Sequence, residues 1–238
     1  MVIYASLISI LRLFNLVTGH RIIRYGDHRL PTTGGAVLAI NHTSYVDFTY
    51  IGLDAKRRDG RLIRFMGKIE LRKNPIIRWL MWGCKVIPVD RSAGAGAYRA
   101  AVDELRKGEI VGIYPEATIS RSYEIKTMKT GAARMALEAG VPIIPSIVWG
   151  SQRIAPKGHP HNLGRTKTPV LIAVGEPIPP TGTADELTAL LRAAMVALLH
   201  EAQEAYGPHP AGEVWVPARL GGSAPTVAEA AAMDPTRN

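Results

Sequence analysis

The chain has 238 residues, 47% apolar and 21% charged, with a formal net charge of +9. That length suits one domain with a large core plus extensions, and the apolar and charged fractions are those of a globular protein. A single cysteine, Cys84, excludes an internal disulfide framework and a thiolate metal cluster, and fits a reducing cytosol.

The first element, Met1 to Gly19, carries one charge, Arg12, and is followed by Arg21 and Arg24. It lacks the basic start and small-residue cleavage site of a secretory signal. Arg12 falls in the middle of the segment, which makes it a marginal single span. Ile3, Leu7, Ile10, Leu11 and Phe14 recur at helical spacing with basic flanks, the pattern of a helix lying in a membrane interface. A buried core helix is the alternative. Residues 1–25 are therefore expected to be an amphipathic, membrane-associating segment. The protein would then be peripheral or monotopic, on the cytoplasmic face of the cell membrane.

Beyond it, apolar runs of strand length at 36–40, 62–66, 85–89, 110–114, 142–148 and 169–174 alternate with helical stretches at 44–55, 71–83, 95–107 and 127–139. The alternation predicts an α/β domain over 26–206, with a central, mostly parallel (mixed) sheet flanked by helices. Residues 183–206 form the clearest helix, opened by a Thr183/Glu186 capping box and lined by Leu187, Leu190, Leu191, Ala194, Leu198 and Leu199. Residues 207–238 are rich in Pro, Gly and Ala and are expected to be a poorly packed tail.

Charge is concentrated between Lys56 and Arg78, where nine basic residues face only Asp59 and Glu70, a net +7. Interleaved apolar residues, and Ile76, Ile77, Trp79, Leu80, Met81 and Trp82 beside it, suggest a surface that meets a polyanion: anionic lipid, a phosphorylated substrate or nucleic acid.

The segment Asn41-His42-Thr43-Ser44-Tyr45-Val46-Asp47 follows the run 36–40. An imidazole oriented by a carboxylate is the simplest apparatus for taking a proton off an alcohol. Ser44-x-x-Asp47 also reads as an ordinary helix start, with Asp47 in the first turn. Five residues along a continuous helix turn about 500°, so His42 and Asp47 meet only if His42 precedes the helix.

Other chemistries are missing. There is no Gly-x-x-x-x-Gly-Lys-Ser/Thr and no Gly-x-Gly-x-x-Gly after a strand, and Gly150-Ser151-Gln152 lacks the second glycine of a nucleophile elbow. His159 and His161 in a Gly/Pro loop are a weak metal signal, and neither a metal nor a cofactor is expected. Cys84, within an apolar run, reads as a buried structural thiol. Without a protein nucleophile to partner His42, the hydroxyl it activates belongs to a substrate.

A second constellation completes the pattern: Lys68-Ile69-Glu70-Leu71, then Val86-Ile87-Pro88-Val89-Asp90-Arg91, Tyr114-Pro115-Glu116-Ala117-Thr118 and Val141-Pro142-Ile143-Ile144-Pro145. Together with Asn41-His42-x4-Asp47, these resemble, in order and approximate spacing, the four blocks of the glycerolipid acyltransferases. The 1-acylglycerol-3-phosphate acyltransferases match best. The resemblance covers roughly residues 36–150.

It implies that His42 deprotonates the acceptor's glycerol hydroxyl, that Asp47 orients it, and that the alkoxide attacks acyl-CoA or acyl carrier protein directly. Lys68 and Arg91 would meet the acceptor's phosphate, with Glu116 and Thr118 shaping the acceptor site. The implied partners are the acyl donor, a lysophospholipid acceptor and an anionic membrane, without nucleic acid. The implied product is phosphatidic acid. The chain departs from the family in having Ala117 for a glycine and Ile119 for a phosphate-gripping arginine, for which Arg121 in the same loop is the candidate substitute. The acceptor could then be another lysolipid or a glycolipid. A non-catalytic binder of anionic membrane or nucleic acid on a decayed scaffold is the different-class alternative.

Overall fold

A computed structural model describes residues 2–90 and 95–233 of the chain. Seven strands, β1 (Arg21–Tyr25), β2 (Ala36–Ile40), β3 (Ile63–Lys68), β4 (Ile87–Val89), β5 (Ile110–Ile113), β6 (Ile143–Trp149) and β7 (Pro169–Val174), form one sheet in the order β1-β7-β6-β2-β5-β3-β4. Every neighbouring pair is parallel except β6 and β7. The fold is therefore α/β with a mostly parallel, mixed sheet.

β2 sits between β5 and β6, and all five of its residues are fully buried. A continuous apolar run is what a strand covered on both faces requires. Its side chains alternate between two cores. Val37 and Ala39 pack under the helices α4 (Ala95–Arg106), α5 (Gly131–Ala139) and α6 (Ala184–Tyr206), while Ala36, Leu38 and Ile40 pack under α2 (Asp47–Asp59). α6 begins as its sequence predicts: the Thr183 hydroxyl accepts from the Glu186 N–H, and the Glu186 carboxylate from the Thr183 N–H.

α1 (Val2–Thr18) sits beside α2 and α3 (Pro75–Gly83). Tyr4 and Ile8 are buried against Leu53, with Leu11, Leu62 and Cys84 alongside. Burial raises the Cys84 thiol above its ordinary pKa, as suits a structural side chain. The opposite side of α1 is not polar: Ile10, Leu13, Leu16 and Val17 are all exposed. The helix thus docks by one stripe and presents a second apolar face. Among the described residues, no helix is long and apolar enough to cross a membrane.

Several expectations differ from the structure. Residues 21–25, assigned to the N-terminal segment, form an edge strand beside β7; the charges on either side, Arg21 and Arg24, mask the apolar pair Ile22-Ile23. The helix expected from 71 starts at Pro75, because proline cannot sit inside a helix. Asn74 caps it by accepting from the Ile76 and Ile77 N–H groups at 2.9 and 3.2 Å.

The tail packs better than its composition suggests. Trp215 and Val216 are buried, Arg153 lies 4.5 Å over the Trp215 ring, and Arg219 pairs with Glu124 at 3.2 Å. The basic window, finally, is partly structural. Arg64 is buried on β3 and pairs with Glu109 at 2.7 Å, Arg57 pairs with Asp27, and Arg61 donates to the Pro31 carbonyl. Lys68, Arg72, Lys73 and Arg78 are left facing solvent.

Candidate active site

The carboxyl ends of the parallel strands β2, β5, β3, β4 and β6 share one edge of the sheet, the usual place for a ligand in an open α/β fold. β2 delivers His42 there. Asn41, the first residue past the strand, holds the exit in place. Its amide donates to the Val148 carbonyl at 3.1 Å and accepts from the Val148 N–H at 2.7 Å, tying the loop to β6.

α2 begins at Asp47, so His42 precedes the helix and the two side chains meet. His42 Nδ1 lies 3.0 Å from Asp47 Oδ2. The expected Ser44–Asp47 capping box is half formed. The Asp47 carboxylate reaches back to accept the Thr43 and Ser44 N–H groups, each at 2.9 Å, while Ser44 Oγ donates to the Ala155 carbonyl and accepts from the Val46 N–H, not from that of Asp47. Asp47 is fully buried, and its other oxygen accepts from Ser151 Oγ at 2.5 Å. The Tyr114 ring stacks on the imidazole at 3.9 Å and 18°. With Nδ1 committed to Asp47, Nε2 is the nitrogen left for chemistry. It makes no hydrogen bond among the described residues, and the side chain is 20% exposed. An imidazole fixed on one side by a carboxylate and open on the other can take a proton from a hydroxyl placed against it.

Glu116 sits behind this pair. One oxygen accepts from the His42 backbone N–H at 3.0 Å and the other from the Lys126 N–H at 3.1 Å. Burial drives its pKa up to about 7, and the two N–H bonds and the nearby Lys126 and His42 only partly offset that rise. The resemblance implied an acceptor-shaping residue. In the structure both carboxylate oxygens brace the chain on either side of the site. Ala117 follows with φ at 61°, a left-handed conformation that glycine adopts without strain, which explains the family's glycine at this position.

The other predicted residues are spread along the same edge. Lys68 is exposed at the carboxyl end of β3, and Arg91 lies outside the described residues. Thr118 is exposed and accepts from Lys126 Nζ. Ile119, which stands where the family has arginine, is buried, as its apolar side chain demands. Arg121 is half-buried and reaches the Lys157 carbonyl at 3.5 Å. His42 thus links the two acids, meeting Asp47 through its ring and Glu116 through its backbone N–H, whereas Lys68 and Thr118 lie apart along the edge. Among the described residues no cluster of His, Cys, Asp and Glu could hold a metal ion.

Sequence reasoning missed Ser151 and Tyr114. Ser151 had a signal, a Gly-Ser at a strand end, but it was weighed only as a nucleophile. Tyr114 had no signal beyond its place beside Glu116.

The sequence pattern of the Acyltransferase family matches residues 21–149, more than half of the chain, and the chain belongs to that family. An uncharacterized acyltransferase of Schizosaccharomyces pombe is 34% identical over 171 residues, 68% of this chain and 58% of its own. The 1-acyl-sn-glycerol-3-phosphate acyltransferase of Bacillus subtilis is 32% identical over 127 residues, 53% of this chain and 61% of its own. A chloroplastic enzyme of that name from Arabidopsis thaliana is 29% identical over 152 residues, 62% of this chain and 41% of its own. The chain therefore spans about half the length of these relatives. The crystal structure of the 1-acyl-sn-glycerophosphate (LPA) acyltransferase PlsC from Thermotoga maritima shares the fold. It has a TM-score of 0.64 and 21% identity, covering 84% of this chain and 81% of its own.

Because its pKa is higher in the folded protein than the ordinary carboxylate value of 4.5, Glu116 favours folding most at low pH. That contribution is complete below about 4.5 and is lost as pH rises toward 7. Glu116→Gln removes the titration. The melting temperature of the native protein relative to this variant should fall between pH 4.5 and 7 and then level off. Parallel curves in a thermal scan across that range would refute the assignment.

Proposed function

We propose that the protein is an O-acyltransferase that moves a fatty acyl group from a thioester, acyl-CoA or acyl carrier protein, to the free glycerol hydroxyl of lysophosphatidic acid, giving phosphatidic acid. The observation that supports the reading is the His42–Asp47 pair, with Nε2 open and no hydroxyl bonded to it among the described residues. Nε2 removes the acceptor's proton as its oxygen attacks the thioester carbonyl. The tetrahedral intermediate then expels the thiolate, and the imidazolium returns the proton to the departing sulfur. Asp47 orients the ring and stabilises its charged form. No acyl-enzyme is formed.

Lys68 at the carboxyl end of β3 supplies positive charge for the acceptor's phosphate, with Arg91 and Arg121 as further candidates from sequence. The relatives named for 1-acyl-sn-glycerol-3-phosphate support this acceptor. The burial of Ile119 favours a second reading, the same chemistry on a lysolipid or glycolipid whose head group needs less cationic grip. With oleoyl-CoA and a panel of labelled lysolipids, the first reading expects lysophosphatidate to be consumed fastest. It fails if lysophosphatidate stays unreacted while another lysolipid is acylated. His42→Ala should lower the rate with any acceptor by 10²–10⁴-fold, the usual contribution of a general base.

The same proposal places the protein on a membrane. The exposed Ile10, Leu13, Leu16 and Val17 of α1 lie on the helix that packs beside α3, where Ile76, Trp79 and Trp82 are exposed. Arg72, Lys73 and Arg78 adjoin them in sequence, so apolar and cationic groups would meet an anionic interface together. Replacing Trp79 and Trp82 by serine should weaken co-sedimentation with phosphatidylglycerol vesicles at least about tenfold, because two large aromatic surfaces are lost. Undiminished binding would remove α3 from the contact.

A further inference from the structure

At the end of β6 the chain turns sharply at Gly150, whose φ is 99°. No larger residue fits there: a Cβ would lie 2.3 Å from the Pro169 carbonyl oxygen and 2.9 Å from the Tyr206 ring. The turn delivers Ser151, fully buried, beneath the first turn of α2. Its hydroxyl donates to Asp47 Oδ1 at 2.5 Å. The other close donors to this carboxylate, His42 Nδ1 and the Thr43 and Ser44 N–H groups, all go to Oδ2. Among the described residues, Oδ1 has besides Ser151 only the Thr43 hydroxyl, at a marginal 3.5 Å. One oxygen of a fully buried carboxylate thus depends on a single side chain from a different strand.

We infer that Ser151 is a positioning residue that clamps the Asp47 carboxylate, fixing the oxygen that His42 uses. Without the clamp, Oδ1 is a buried acceptor with almost no partner, and the carboxylate gains by turning away from the imidazole to find one. The clamp also gives the Gly-Ser pair a role other than nucleophile, because the hydroxyl is spent on the acid and not offered to the base. Asn41 makes the arrangement rigid, since its two bonds to Val148 hold the β2 exit at a fixed distance from β6. The charge of Asp47 is also felt by Tyr50 and Tyr114, and in both it adds to burial in raising the hydroxyl's pKa.

The effect on rate rests on the acyl-transfer reading, but the effect on the imidazole does not. Both are measured on the full chain in detergent, with wild-type, Ser151→Ala and Ser151→Thr proteins. A carboxylate that turns away to find another donor leaves His42 Nδ1 without its anion, so the protonated ring is disfavoured. The midpoint for protonation of the His42 ring, followed by NMR, should therefore fall in Ser151→Ala relative to wild type. The acid limb of the pH–rate profile should move with it. Acyl transfer should fall about tenfold in kcat, with KM for the lysolipid nearly unchanged, as for other partners that orient a reacting group. Threonine keeps the hydroxyl and should restore both readouts. If the alanine protein does not fold, Ser151→Cys, a weaker donor of similar size, carries the comparison with smaller shifts in the same directions.

A folded Ser151→Ala protein whose ring midpoint matches wild type overturns the clamp. A shifted midpoint in Ser151→Ala, together with a wild-type protein that acylates no lysolipid, leaves the clamp standing and defeats the functional reading instead.

Discussion

A buried carboxylate must be surrounded by donors or it destabilises the fold, and in this protein that requirement organises the whole strand edge. Asp47 has no contact with solvent, and donors from three places converge on it: the β2 exit, the start of α2 and the turn after β6. Moving any of these takes a donor away from a buried charge. The loop from β2 is short and bound to β6 through Asn41, and Gly150 turns the chain where nothing larger would fit. The imidazole is therefore held by the same interactions that close the fold.

A second buried acid supports the first from the other side. Glu116 joins the backbone at His42 to the backbone at Lys126, so the loops leaving β2 and β5 are fastened together. Ser120 adds a direct bond to the His42 carbonyl at 2.6 Å. Asp47 and Glu116 differ in what they hold. Asp47 fixes the imidazole of His42, whereas Glu116 fixes the backbone that carries it.

The central strands and the dyad were legible in sequence because each has one dominant cause. An uninterrupted apolar run of five residues belongs in the middle of a parallel sheet, and a histidine five residues before an aspartate at a helix start has one way to make contact. What was not legible depended on partners distant in sequence. Arg57, Arg61 and Arg64 look like surface charge until Asp27, Pro31 and Glu109 are placed against them. The tail looks loose until Trp215 finds Arg153. Ser151 lies more than a hundred residues from Asp47, and no local pattern records that the two touch. Edge strand β1 was hidden by its own charges. The order of sequence blocks pointed to the reaction class, but with Ile119 turned into the core it says less about the acceptor.

The central claim is that Asp47 makes His42 an effective base for a substrate hydroxyl. It is tested most directly by Asp47→Asn, which keeps the size and the helix start but removes the charge and sets an amide N–H among converging donors. In an assay with oleoyl-CoA and the preferred lysolipid, the account predicts a folded protein whose acyl-transfer rate is lower by roughly 10²–10⁴-fold, approaching the loss expected for His42→Ala. A folded Asp47→Asn protein that transfers acyl groups at the wild-type rate would contradict it.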